Sequence, residues 1–204
     1  MTYLVAIPIF NEQSTIGPVL EKVLRLVPDV LVVDDGSTDA TPDILSAFPS
    51  VHVITHPENR GYGQSLIDSF QFAADRKFDW VITMDCDEQH EPEFIQRFVD
   101  RFPDTQADII SGSRYLKEFD SDDEPPADRR QINMTINSLL RQILQLDLTD
   151  SFCGFKAHRV SALQRLSLTE PGYAFPCQFW VQCVRAGLRI EELSVRRIYL
   201  DRNR

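Results

Sequence analysis

No apolar run in this chain of 204 residues approaches the roughly 20 consecutive residues that a membrane-crossing helix needs. Cysteine is scarce. Cys86, Cys153, Cys177 and Cys183 form no C-x-x-C pair, which argues against a zinc site or a disulfide scaffold and for reduced, buried thiols. Positive charge is also short, with 21 Lys and Arg against 31 Asp and Glu and a formal net charge of −10. A nucleic-acid backbone is therefore excluded as the main partner, because that contact needs a basic face. The opening residues carry no basic leader, and their apolar run is too short for a signal peptide. The expected location is cytoplasmic, with access to the inner face of a membrane by peripheral contact. No internal repeat and no linker composition divides the chain.

What is present is an ordinary core-forming composition, 43% hydrophobic and 25% charged. The arginines are clustered, between Arg129 and Arg141 and again from Arg185 onward. The pattern predicts strands at 3–9, 30–33, 51–54, 80–84, 107–111 and 188–199. Helical spacing predicts helices at 12–26, 41–48, 62–72, 92–102, 130–146 and 179–186. Strands alternating with helices imply a parallel α/β sheet covered on both faces, which is why the strands are apolar throughout. Residues 117–128 are acidic and proline-bearing and read as an exposed, mobile loop. In helix 130–146, Ile132, Ile136, Leu139, Leu140, Ile143 and Leu144 form one apolar side, expected to face the core more than lipid.

In open α/β sheets, ligands gather at the carboxyl ends of the strands. Polar residues sit there: Asn11-Glu12 after the first strand, Asp34-Asp35-Gly36-Ser37-Thr38-Asp39 after the second, and Asp85-Cys86-Asp87-Glu88-Gln89-His90 after the fourth. Three acidic strand ends repel a phosphate unless a divalent cation lies between them. Mg²⁺ and Mn²⁺ favour carboxylate oxygens and keep positions open for substrate oxygens. Each segment alone also reads as a turn or a helix cap. His52, His56 and His158 show no partner pattern and read as structural or surface residues, while His90 reads as shaping the acidic loop.

The chain resembles the family-two glycosyltransferases with the GT-A fold, in their dolichyl-phosphate mannose synthase-like branch. The resemblance rests on Ile7-Pro8-Ile9-Phe10-Asn11-Glu12, Val32-Val33-Asp34-Asp35-Gly36-Ser37-Thr38-Asp39, Asn59-Arg60-Gly61-Tyr62-Gly63, Met84-Asp85-Cys86-Asp87-Glu88-Gln89-His90, Gly112-Ser113-Arg114-Tyr115 and Cys153-Gly154-Phe155-Lys156. It implies one Rossmann-like domain over 1–204, with about 1–87 holding a GDP- or UDP-sugar and about 88–204 receiving the acceptor. It also implies that Pro8, Phe10 and Glu12 line the base and ribose pocket and that Asp35 binds the base. Phe10 stands where tyrosine is frequent in the family. Asp85 and Asp87, with Gln89, would hold Mg²⁺ or Mn²⁺ on the diphosphate. Gly61 and Gly63 would let backbone approach the substrate, since they lack a Cβ.

Two acceptor classes stay open. A sugar hydroxyl needs a general base, whereas a phosphate monoester is already ionised near neutral pH, its second pKa being about 6. Where the family often places an acid, this chain has Gln178, which cannot act as a base. Asp150 is the remaining candidate base, or else a cap of the turn before Gly154. Arg114, Arg129 and Arg130 suit a lipid phosphate, since guanidinium forks match phosphate oxygens. Arg202 and Arg204 are further candidates for the donor phosphates. A sugar-phosphate nucleotidyltransferase would carry a glycine- and lysine-rich loop after the first strand, and Asn11-Glu12-Gln13 is not one. Non-catalytic nucleotide-sugar binding is disfavoured by the intact Asp85/Asp87 pair.

Overall fold

The first strand, β1 (Tyr3–Ile9), is apolar on both faces and takes an interior place in the sheet for that reason. A computed structural model describes residues 1–199; the candidates Arg202 and Arg204 lie outside the described residues. After β1 come α1 (Ile16–Val23), β2 (Val30–Asp34), α2 (Thr41–Leu45), β3 (His52–Thr55), α3 (Tyr62–Asp75) and β4 (Trp80–Thr83). A 3₁₀ turn (Pro92–Phe94) leads into α4 (Ile95–Val99), β5 (Ile109–Ser113), α5 (Ala127–Leu144), β6 (Lys156–Arg159), α6 (Val160–Leu163), α7 (Phe175–Arg185) and β7 (Ile190–Ser194). The sheet order is β3-β2-β1-β4-β6-β5-β7. All pairings are parallel except the two made by β6.

Alternate residues of β1 enter the two halves of the core. Val5, Ile7 and Ile9 pack with Ile16, Val19 and Leu20 of α1 and Phe98 of α4. Leu4 and Ala6 pack with Leu66 and Phe70 of α3 and Phe175, Phe179 and Trp180 of α7. The result is the α/β sheet with helices on both faces that the alternating pattern predicts. All four cysteines are unpaired, and Cys86, Cys153 and Cys183 are buried.

Three expectations change. β6 and α6 carry no apolar run and were not expected, because β6 reads Lys-Ala-His-Arg. Helix α5 turns only part of its apolar side inward: Leu140 is buried and Ile136 and Leu144 pack against the core beside buried Asn133 and Asn137, while Ile132, Leu139 and Ile143 are exposed. The acidic segment before α5 is irregular but tied down. The Arg197 amide donates to Asp122 and the Tyr199 amide to Asp123, each at 2.9 Å, and the Asp123 amide donates to the Arg197 carbonyl at 2.9 Å. This strap occupies residues 195–199, so β7 ends at Ser194 instead of continuing to 199.

Buried His158 of β6 lies between the rings of Phe70 and Phe179, at 5.0 and 5.4 Å between centroids. Burial, with Lys156 adding, holds its imidazole well below 6.5. The unfolded chain takes up a proton near that value and the folded chain does not. This contribution to stability is therefore complete above about pH 6.5 and declines as pH falls. Thermal melts from about pH 7 to about pH 5 are expected to fall less steeply in His158→Gln than in the wild type. Parallel curves would show that His158 is not the source.

Candidate active site

A cavity of about 630 Å³ opens at the carboxyl ends of β1, β2 and β4. Its wall includes Pro8, Phe10, Glu12, Asp35, Gly61, Asp85 and Asp87, so six candidates from three strand ends share one space with Gly61 from the start of α3. The volume is that of an ordinary small-ligand pocket. Two of the acidic strand ends are locked together. The Asn11 side-chain oxygen accepts from the Thr38 amide, and the Ser37 hydroxyl accepts from the Asn11 amide, both at 2.8 Å. Asn11 reaches this position with φ 57°, a left-handed conformation that asparagine tolerates better than most residues.

Asp35 is 3% exposed and is held from several sides. Its Oδ1 accepts from the Arg60 amide at 2.8 Å and lies 2.6 Å from His56 Nδ1, while Oδ2 accepts from the Gly61 amide at 2.8 Å. The other ring nitrogen of His56 is 2.8 Å from Asp68 on α3. His56 is thus no isolated surface histidine; it braces Asp35 against α3. Its place directly after β3, at the same sheet edge, is the sequence signal that could have found it. Gly61 has φ +102°, and a Cβ there would lie 2.3 Å from the Pro171 carbonyl oxygen. The close approach that Gly61 permits is therefore to the chain's own 170–172 turn, in addition to its place on the cavity wall. Asp35→Ala is expected to weaken nucleoside diphosphate binding by about 1.5–3 kcal/mol, the range for bonds to charged groups. Titration calorimetry showing unchanged affinity would remove Asp35 from the donor site.

Asp85 sits against Gly154, where a Cβ would come within 2.3 Å of its carboxylate and push it aside. Its Oδ1 accepts from the Tyr62 hydroxyl at 3.1 Å, and its amide donates to His90 Nδ1 at 2.9 Å. Burial lowers the His90 imidazole to about 4, so it is neutral and free to accept that bond. Burial and the neighbouring Asp85 keep the Tyr62 phenol well above 10, so it stays a donor. Burial also pushes the Asp85 carboxyl up, opposed by Tyr62, Lys156 and Arg114. A desolvated carboxylate beside Asp87 is an environment that a divalent cation would relieve. Among the described residues no group of three or more His, Cys, Asp or Glu could hold a metal ion by itself. Asp85 and Asp87 present carboxylate oxygens, a donor set open to a cation that substrate oxygens would also bind. Gln89 is placed differently from expectation: its amide braces Asp87 at 3.1 Å, and its side chain is not part of the cavity wall.

Two of the expected acceptor residues, Arg114 and Arg130, lie against Tyr115. The Arg130 guanidinium lies 3.8 Å from the ring centroid and Arg114 5.7 Å. Arg197, not anticipated, lies at 5.5 Å. Arg129 is half-buried in the first turn of α5. Asp150 is fully buried and accepts Arg114 Nε at 2.7 Å, Arg114 Nη2 at 3.0 Å and Asn133 Nδ2 at 2.7 Å. The amides of Arg114, Phe152 and Cys153 add further bonds at 3.2 Å. Burial alone would raise its pKa, but Arg114 and these bonds hold it below 3.8. So committed a carboxylate is a poor proton acceptor, and the geometry argues against the general base considered at Asp150; it anchors Arg114 instead. Gln178 accepts from the Thr169 and Glu170 amides at 2.8 and 2.9 Å, bracing that turn. Tyr62, Phe152, Tyr173 and Pro176 also line the wall and were not singled out as site residues in the sequence. Buried Lys156 donates to the Cys153 carbonyl.

The Glycosyl transferase family 2 sequence profile matches residues 4–167. The chain belongs to this family. This family 2 glycosyltransferase is 32% identical to an undecaprenyl-phosphate mannosyltransferase of Micrococcus luteus, over 96% of the chain and 83% of the relative. It is 29% identical to a polyprenol monophosphomannose synthase of Mycolicibacterium smegmatis, over 94% and 76%. Its fold matches a glucosyl-3-phosphoglycerate synthase from Mycobacterium tuberculosis, solved with Mn²⁺, UDP and glucosyl-3-phosphoglycerate, with a TM-score of 0.73. That alignment covers 97% of the chain and 72% of the solved one at 21% identity, and identifies the fold as GT-A. The protein is a glycosyltransferase.

Proposed function

We propose that this glycosyltransferase moves a sugar, with inversion, from a nucleoside diphosphate sugar to the phosphate of a polyprenyl carrier, using a divalent cation held by Asp85 and Asp87. The observation that carries the acceptor class is the state of Asp150 and Gln178. Both residues where a base would be sought are saturated by bonds to the chain itself, while Arg114 and Arg130 converge on Tyr115. A phosphate acceptor needs guanidinium partners and no base. Asp150 engages two of the five Arg114 N–H donors, leaving three for an incoming phosphate. The carrier-phosphate substrates in the relatives' names support the same reading.

Pro8, Phe10 and Asp35 would seat the base, with His56 fixing Asp35. Tyr62, Gly154 and His90 would hold Asp85 in register. A cation at Asp85 and Asp87 would supply charge neutralisation for the departing diphosphate. Arg114, fixed by Asp150, would orient the acceptor oxygen for attack on the anomeric carbon from the face opposite the diphosphate. The test is transfer from GDP- and UDP-sugars to a short-chain polyprenyl phosphate, to free polyprenol and to a panel of sugars, with and without Mn²⁺. Transfer to the phosphate alone is the expected result. Ready glycosylation of sugars with an inert polyprenyl phosphate would overturn it.

A further inference from the structure

Tyr173 is 87% exposed, the most exposed large apolar or aromatic side chain among the described residues. The turn that carries it is nevertheless firmly held. A Cβ at Gly61 or Gly63 would collide with the carbonyl oxygens of Pro171 and Glu170, so the start of α3 lies directly against the turn. The Pro171 carbonyl accepts from the Gln64 amide at 3.0 Å, and the Glu170 carboxylate accepts from the Gly172 amide at 2.9 Å. Gln178 closes the other side through the Thr169 and Glu170 amides. A loose turn could fold such a ring back onto apolar surface; this one holds it out.

The ring stands at the cavity. Tyr173 is part of its wall and stacks on Tyr62, with 6.0 Å between centroids and 10° between planes. The Tyr62 hydroxyl in turn donates to Asp85. The sheet gives the wall an order. Asp35 follows β2, Pro8 and Phe10 end β1, and Asp85 and Asp87 follow β4. Phe152 comes next, in the segment that enters β6 on the far side of β4. With the base at Asp35 and the diphosphate at Asp85 and Asp87, the following place along the wall is flanked by Phe152 and the Tyr62–Tyr173 stack. The group attached beyond the diphosphate is the sugar.

A pyranose turns a face of C–H groups to its surroundings, and the negative face of an aromatic ring attracts such hydrogens. Among the described residues, the charged members of the wall are all acids, Glu12, Asp35, Asp85 and Asp87, which would repel a carboxylate-bearing sugar. We propose that Tyr173, backed by Tyr62, is a specificity-determining platform that stacks on the C–H face of an uncharged pyranose in the donor. This rests on the donor reading above, in which Asp35 takes the base and Asp85 and Asp87 the cation.

The test compares the wild type with Tyr173→Ala and Tyr173→Phe by titration calorimetry in the presence of Mn²⁺. The ligands are GDP, UDP and a panel of their neutral hexose conjugates, with GDP-mannuronate and UDP-glucuronate as the charged counterparts. The position is exposed, so both variants should melt close to wild type. Tyr173→Ala is expected to weaken the preferred nucleotide sugar by roughly three- to tenfold, the range of a ring stack, and to leave the bare nucleoside diphosphate unchanged. Tyr173→Phe keeps the ring and should bind as the wild type does. Wild type should bind neutral hexose conjugates more tightly than the uronates. Equal losses for sugar nucleotide and bare diphosphate, no loss in Tyr173→Ala, or as large a loss in Tyr173→Phe would overturn the inference, as would uronates bound as well as neutral hexoses. Intact donor binding in Tyr173→Ala with a raised KM for polyprenyl phosphate would also overturn it, because the ring would then serve the acceptor. Wild type that binds neither GDP nor UDP strikes the donor reading instead.

Discussion

Asp87→Asn is expected to lower transfer by on the order of 10²–10³-fold, several kcal/mol of transition-state stabilisation, while the melting temperature stays close to wild type. The substitution keeps the shape and removes the charge. Asp87 lines the cavity, is only half-buried, and receives the Gln89 amide, which an asparagine oxygen can also accept. The fold therefore has little reason to fail. On the proposed reading, what is lost is one of the two carboxylates that would hold a cation on the diphosphate, and with it the neutralisation of the leaving group. Asp85→Asn is a less clean experiment. Asp85 is wedged against Gly154 and tied to Tyr62, so a structural effect would accompany the chemical one. Steady-state turnover with added Mn²⁺, set beside a thermal melt, checks the prediction. Wild-type turnover undiminished in excess EDTA would refute a cation role for the pair.

The first half of the chain was legible because its signals are local. Apolar runs at 3–9, 30–33 and 80–84 announce buried parallel strands, and their polar exits fall on one edge wherever such strands lie side by side. The second half was less legible because its structure depends on distant pairings. β6 takes a central position between β4 and β5 with Lys156 and His158, polar residues accepted only because Thr83 and the rings of α3 and α7 surround them. Helix α5 has a clear helical period, but the period cannot say which side faces in. Two asparagines win the interior because Asn133 bonds Asp150 and Asn137 bonds Asn133 and the Thr149 carbonyl. Tertiary hydrogen bonds outrank the apolar stripe there. His56 was read as structural or surface, and its partners, Asp35 and Asp68, stayed unnamed for the same reason: they lie 21 and 12 residues away.

Asp150→Asn is expected to destabilise the fold by about 3–5 kcal/mol, because it strands the Arg114 charge in a site built for a pair. At about 2–4 °C per kcal/mol for a chain of this size, the melting temperature should fall by roughly 6–20 °C. The Arg114 side chain is 17% exposed and Asp150 not at all, so solvent does little to screen the loss. The sign of the pH dependence follows from the same pair. A carboxyl held below 3.8 contributes stability that is complete above that value and lost as pH falls through its folded pKa. Wild type should therefore lose this contribution in acid, and Asp150→Asn should show no such loss. Kinetics separate the anchor from a base. An anchor lost means a misplaced Arg114, so KM for a short-chain phosphate acceptor should rise while folded enzyme still turns over. A base lost means that kcat collapses with little change in stability. Arg114→Gln breaks the pair from the other side, and combining it with Asp150→Asn leaves no unpaired charge. The double variant is accordingly expected to be more stable than the two single losses added together, a coupling that a double-mutant cycle measures directly. Strict additivity, with a collapsed kcat in Asp150→Asn alone, would return Asp150 to the role of base and a sugar hydroxyl to the role of acceptor.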